Sequence, residues 1–233
     1  MGRISYPVAT FEFRPNSLDF AIFCMVYFNN EYDLPPRFDA TDLIIDVGAH
    51  IGSFAFAALV RGAGKVICAE AHPDNVERVR QHLADYIAVG KVDLRHGAVW
   101  RSDTHQLVTF SDFPVHDSQL INTGGATTYP ADLPPYLETI PLDDLISHAQ
   151  VRLLKLDCEG AEFPILLTSH RLRQVQEIVG EYHEHEMYTI ASLEQHLLKQ
   201  GFQVTHQRHR AYVDGQWIPL ARGYFRAVRD DAL

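Results

Sequence analysis

The chain has 233 residues, enough for one large domain or two small ones and for a core that needs no disulfide staples. Its 30 Asp plus Glu against 20 Lys plus Arg give a formal charge of −10. That balance argues against a general nucleic-acid binder, a role that needs cations to neutralise phosphates. At 46% hydrophobic and 21% charged residues, the composition is globular and not disordered. Cys24, Cys68 and Cys158 form no CxxC pair, so neither a disulfide framework nor a structural zinc site is expected. The opening MGRISYP lacks the apolar segment of a signal peptide. The longest dense apolar run, residues 20–28, is far short of the roughly 20 residues of a membrane span. A soluble protein of the reducing cytoplasm, with no membrane partner, is the expectation.

In chain order, residues 1–38 read as an N-terminal helical extension or lid, closed by Pro35–Pro36. Residues 18–32 have a wide apolar face bearing Phe20, Phe23, Tyr27 and Phe28. That face suits packing on a sheet edge, a dimer contact, or a cover over a pocket. Residues 39–233 read as one domain in which strands and helices alternate. Strands are expected at 43–47, 65–69, 92–94, 151–157 and 177–182, with closing strands at 202–207 and 224–228. Helices are expected at 54–60, at 165–167, and from Pro73 through Val76, Val79, Leu83 and Ile87. A further helix spans 192–200, with Ser192 and Gln195 as a capping box and Gly201 as its stop. Asp214–Gly215 reads as a turn of the hairpin kind. The fold class is α/β: a doubly wound, mostly parallel seven-stranded sheet with an antiparallel C-terminal hairpin strand.

The strongest local signal is Asp46-Val47-Gly48-Ala49-His50-Ile51-Gly52, a buried strand ending in an acid, then a glycine turn, then a helix. Gly48 lets the backbone turn sharply and approach a ligand, and the following helix start offers unpaired N–H groups. The turn lacks the Lys-Ser/Thr of a triphosphate loop and does not match GxGxxG, which disfavours a nicotinamide dehydrogenase. The next strand ends in Glu70, placed as an acid that accepts hydrogen bonds from ribose hydroxyls. Both features have plainer readings, a strand-to-helix turn and a surface acid. Together they describe a nucleoside site.

The segment Lys155-Leu156-Asp157-Cys158-Glu159-Gly160-Ala161-Glu162 narrows the reading. With DVGAHIG and Glu70 it resembles the FkbM type of Rossmann-like, class I methyltransferases. Glu31-Tyr32-Asp33, Gly124-Gly125-Ala126, Pro141-Leu142-Asp143-Asp144-Leu145 and Glu181-x-His183 support the match. His50 departs from the family's usual Asn, and Ala71-His72-Pro73 from its usual Pro-x-Pro. The resemblance implies S-adenosylmethionine as cofactor and a small-molecule acceptor, most often a hydroxyl of a natural product or sugar. It implies that Gly48, Ala49, His50 and Gly52 hold the methionine part, with Asp46 below. Glu70 would bind the ribose, Gly97 and Ala98 would lie near the adenine, and Ala71 and Asp157 would also contact the cofactor.

On an extended strand Lys155, Asp157 and Glu159 share one face, and a buried Lys155 needs a carboxylate, Asp157 being the nearest along the chain. Asp157 also stands as a catalytic candidate, with Glu181 and His183 on the next strand. His183 or His185 could act as base for an acceptor hydroxyl. Asp157, Glu181 and His183 could alternatively hold a divalent metal. A solvated polar loop is the plain reading of residues 181–186. Residues 112–135 are the expected acceptor-binding segment. The rival functions are N-methylation with the same cofactor site and a non-catalytic scaffold that binds the cofactor. The oligomer is expected to be a monomer or homodimer.

Overall fold

The computed structural model describes residues 2–6, 9–111, 127–130, 136–213 and 216–230. Residues 112–126 and 131–135 of the expected acceptor-binding segment, and the Asp214–Gly215 turn, lie outside the described residues.

The chain opens with a hairpin of β1 (Arg3–Tyr6) and β2 (Ala9–Glu12). The expected helical extension is helical only in its second part, after this hairpin. Ala9, Phe11 and Phe13 recur at the two-residue period of a strand and are buried together. Helix α1 (Asp19–Phe23) follows and widens into a π-helical stretch, Cys24–Phe28.

The main body begins with β3 (Leu43–Val47), α2 (Ser53–Val60), β4 (Lys65–Glu70), α3 (Pro73–His82), α4 (Ala84–Ala88) and β5 (Val92–His96). A small sheet of β6 (Leu107–Ser111), β7 (Thr127–Pro130) and β8 (Tyr136–Glu138) occupies the middle, which the sequence had suggested was loop. Then come α5 (Leu142–Ile146), β9 (Leu153–Leu156), α6 (Glu162–Thr168), β10 (Glu177–His183) and α7 (Ile190–Lys199). The long hairpin β11 (Phe202–Val213) and β12 (Gln216–Arg229) closes the fold.

Seven strands form one sheet in the order β11-β12-β10-β9-β3-β4-β5. The pairs from β10 to β5 are parallel, and β12 is antiparallel to both of its neighbours. The antiparallel strand therefore lies inside the sheet, with β11 at the edge. Two cores flank the sheet. Ile44 faces the side covered by α2, α3 and the extension, while Ile45 and Val47 face α5, α6 and α7. Residues 53–59 of α2 are all buried, because the extension covers the helix on its outer side. The α7 cap sits earlier than expected, since Thr189 and Ser192 exchange side-chain and backbone hydrogen bonds. Among the described residues, no helix is long and apolar enough to cross a membrane.

Candidate functional site

A cavity of about 310 Å³ opens at the carboxyl ends of β3, β4, β5 and β9. Ligands of open α/β sheets bind at this end. Gly48, Ala49, His50, Glu70, Ala71, Gly97, Ala98 and Asp157 all line it. Asp46 and Gly52 do not. Asp46 lies fully buried beneath, and Gly52 packs on Leu83.

The turn after β3 is fixed by backbone contacts. Gly48 has φ +75°, and a Cβ there would meet the Asp157 carbonyl oxygen at 1.9 Å. His50 also adopts a left-handed conformation, φ +51°. Its N–H donates to Glu70 Oε2 at 2.7 Å. Glu70 Oε1 accepts from the His72 N–H at 2.8 Å and the Asn75 amide at 3.3 Å. This carboxylate is thus held in one pose at the cavity edge.

Lys155 is buried, and its partner is not Asp157. Its ammonium lies 3.2 Å from Asp46 on the adjacent strand and donates to the Gly48 carbonyl at 2.6 Å. The parallel register sets Asp46 directly beside Lys155, closer than a residue two places along the same strand. Burial opposes the charge on Lys155, but Asp46 and Asp157 raise its pKa above the usual value. The extended strand stops at Leu156, and Glu159 (φ +53°) and Gly160 (φ +108°) then turn the chain. Lys155, Asp157 and Glu159 therefore all reach the cavity, but from a strand and the turn after it, not from one extended strand face. Glu162 ties this turn by accepting from the Cys158 and Gly160 N–H groups, each at 3.0 Å.

The far end of the cavity is acidic and aromatic. The Tyr32 hydroxyl donates to Asp157 at 2.6 Å, and the Tyr224 hydroxyl donates to Glu31 at 3.0 Å. Glu181 lines the wall beside His209, whose Nδ1 is 3.4 Å away. Burial, reinforced by the Asp157 charge, pushes the Glu181 carboxyl up to about 7. Arg222 lines the same wall. The β11–β12 register shifts here, so residues 220–222 stand opposite His209 alone. Irregularities of this kind re-aim side chains next to functional sites. Leu18, Ile22, Met25 and Val26 of the extension cover the cavity, while Phe23 is in the core.

His183 sits behind this wall and does not line the cavity. Its Nε2 is 3.1 Å from Glu159 and its Nδ1 3.5 Å from Glu162. Burial works against its charge, but these two carboxylates raise its pKa to about 11. A ring held as a cation is a poor proton acceptor near neutrality and a poor metal ligand. His185 is exposed and packs on Tyr188. Among the described residues, no group of three His, Cys, Asp or Glu side chains is arranged for a metal ion. Glu31, Tyr32, His209, Arg222 and Tyr224 are the polar and aromatic lining residues of the far end that the sequence reading did not assign to the site. Only Glu31-Tyr32 carried a signal, as part of the family resemblance.

The sequence matches the model of the methyltransferase FkbM domain over residues 46–224. Among solved structures, a methyltransferase FkbM from Methylobacillus flagellatus KT aligns with TM-score 0.55 and 17% identity. The alignment covers 87% of this chain and 47% of that one, so the chain spans about half that protein's length. M. capricolum TrmK, solved with S-adenosyl-homocysteine, aligns at TM-score 0.48 and 7% identity, over 87% and 67% of the two chains. The precorrin-6y C5,15-methyltransferase of Geobacter metallireducens GS-15 aligns at 0.45 and 12%, over 89% and 85%. The Methylobacillus alignment speaks to the fold alone. No curated protein matches the chain.

Proposed function

The chain belongs to the FkbM methyltransferase family, and on that premise we propose that it uses S-adenosylmethionine to methylate a hydroxyl of a small-molecule acceptor. The observation that carries this reading is one cavity with two chemically distinct ends, Glu70 at one and Glu181 at the other. The residues at the Glu70 end fit the cofactor. The Gly48–His50 turn suits its methionine part, Glu70 its ribose hydroxyls, and the small residues Gly97 and Ala98 its adenine. Asp157 and Glu159, where the cavity passes toward the Glu181 end, suit its positive charges. When bound, S-adenosylmethionine supplies an electrophilic methyl group on a sulfonium.

What remains for the protein is alignment, exclusion of water and removal of one proton. Glu181 is the proposed base. A carboxyl with pKa about 7 is partly ionised at neutrality and takes up the hydroxyl proton there. This assignment replaces His183, whose ring is already protonated between Glu159 and Glu162. His209 orients the Glu181 carboxylate, and Tyr32 does the same for Asp157. Leu18, Ile22 and Met25 give the cavity an apolar wall on the side of the extension. The acceptor is of natural-product or sugar type, and the reaction belongs to the cytoplasm. Calorimetry with S-adenosylmethionine and a product analysis test the proposal. Binding, and a methyl group on oxygen, are expected. A folded protein that binds no cofactor, or a methyl group on nitrogen, overturns it.

A further inference from the structure

Three groups hold the Glu70 carboxylate, and two of them, on its two different oxygens, rest on the same ion pair. That pair comes from the extension, outside the family match at residues 46–224. Asp19 is buried, 1% exposed, and takes the Arg14 guanidinium in a two-pronged contact at 2.7 and 2.8 Å. The Arg14 backbone N–H donates to the same carboxylate at 3.0 Å. On one side, Asp19 lies 3.3 Å from His50 Nε2, and the His50 N–H holds Glu70 Oε2. On the other, Arg14 donates to the Asn75 side-chain oxygen at 2.8 Å, and the Asn75 amide holds Glu70 Oε1. His50 has a left-handed backbone that a side chain rarely adopts without support.

We infer that the Arg14–Asp19 ion pair is a positioning clamp for cofactor binding, acting through His50 and Asn75 on the pose of Glu70. Neither Arg14 nor Asp19 lines the cavity, so the clamp works at one remove from any ligand. Removing either partner of this buried pair leaves the other charge uncompensated, so Asp19 and Arg14 stay against His50 and Asn75 only while the pair is intact. The extension is therefore a part of the cofactor site as well as a cover over it.

This inference rests on the cofactor reading above, and the test separates the two. The full chain is titrated with S-adenosylhomocysteine, as wild type, Asp19→Asn, Glu70→Gln and the double variant, with a melting temperature for each. Asp19→Asn is expected to weaken binding about tenfold while the protein remains folded. In the Glu70→Gln background the same change is expected to add little, since its route runs through that carboxylate. Should Asp19→Asn fail to fold, Arg14→Gln with Asp19 intact carries the same expectation. Full affinity in folded Asp19→Asn or Arg14→Gln, or full additivity with Glu70→Gln, overturns the clamp. A wild type that binds nothing overturns the cofactor reading instead.

Discussion

The two ends of the cavity are built by different means. At the Glu70 end the carboxylate is held by groups 2, 5 and 20 residues away, two of them backbone N–H groups. At the Glu181 end the contacts run between side chains from distant parts of the chain. Tyr32 meets Asp157 across 125 residues, and Tyr224 meets Glu31 across 193. The direct contacts of the first end follow from the local course of the backbone and so amount to a motif, which the Arg14–Asp19 pair braces from the extension. The second exists only once the sheet, the hairpin and the extension have assembled. Its side chains can change without altering the strand-turn-helix scaffold, which suits the end that meets the acceptor.

The largest expected effect joins the two ends. Lys155 reaches Asp46, the Gly48 carbonyl and the neighbourhood of the Tyr32 ring, 5.7 Å from its centroid. Lys155→Met leaves Asp46 buried without its partner and is expected to cost about 3–5 kcal/mol in urea denaturation. A loss below about 1 kcal/mol would show that the ends do not share this strut.

Next come the changes that separate the ends. Glu181→Gln is expected to lower kcat about 100-fold, the lower range for loss of a general base, with cofactor affinity kept. An equal fall in cofactor affinity would erase the division. The pH profile should move with it. Below about pH 7 wild-type activity is expected to fall tenfold per unit as Glu181 takes up a proton. An acidic limb at the ordinary carboxylate value near 4.5 would speak against this base. The stability sign follows from the same raised pKa. Between about 4.5 and 7 folded Glu181 keeps a proton that the unfolded chain has lost, so its contribution declines as pH rises through that window. The smallest effect is Tyr224→Phe, which removes one hydrogen bond to Glu31. It is expected to raise the acceptor KM by a few-fold, about 1 kcal/mol, and to leave cofactor affinity alone.

The same division explains what was legible in the sequence. The strands and helices around DVGAHIG and Glu70 stand where periodicity and turn chemistry put them, because neighbouring residues decide them, except that the helix expected from Pro73 through Ile87 breaks at Leu83 into α3 and α4. The partner of Lys155 was misread because strand register, and not spacing along one strand, brought Asp46 beside it. The N-terminal hairpin was missed although Phe11 and Phe13 alternate, since two short strands give a weak periodic signal. His209 and Arg222 left no trace in the sequence. They reach the cavity through a register shift inside a long hairpin, which no local pattern announces. Acceptor chemistry is the least legible part for the same reason.

The most direct test of the two-ended cavity is calorimetric titration of S-adenosylhomocysteine into wild type, Glu70→Gln and Glu181→Gln. Gln is chosen over Ala at position 70 because its one carbonyl oxygen can still accept from either the His50 or the His72 N–H. Saturable binding to wild type is expected, weakened at least tenfold by Glu70→Gln and unchanged by Glu181→Gln. Folded wild type that gives no binding, or variants that lose affinity equally, would contradict the account.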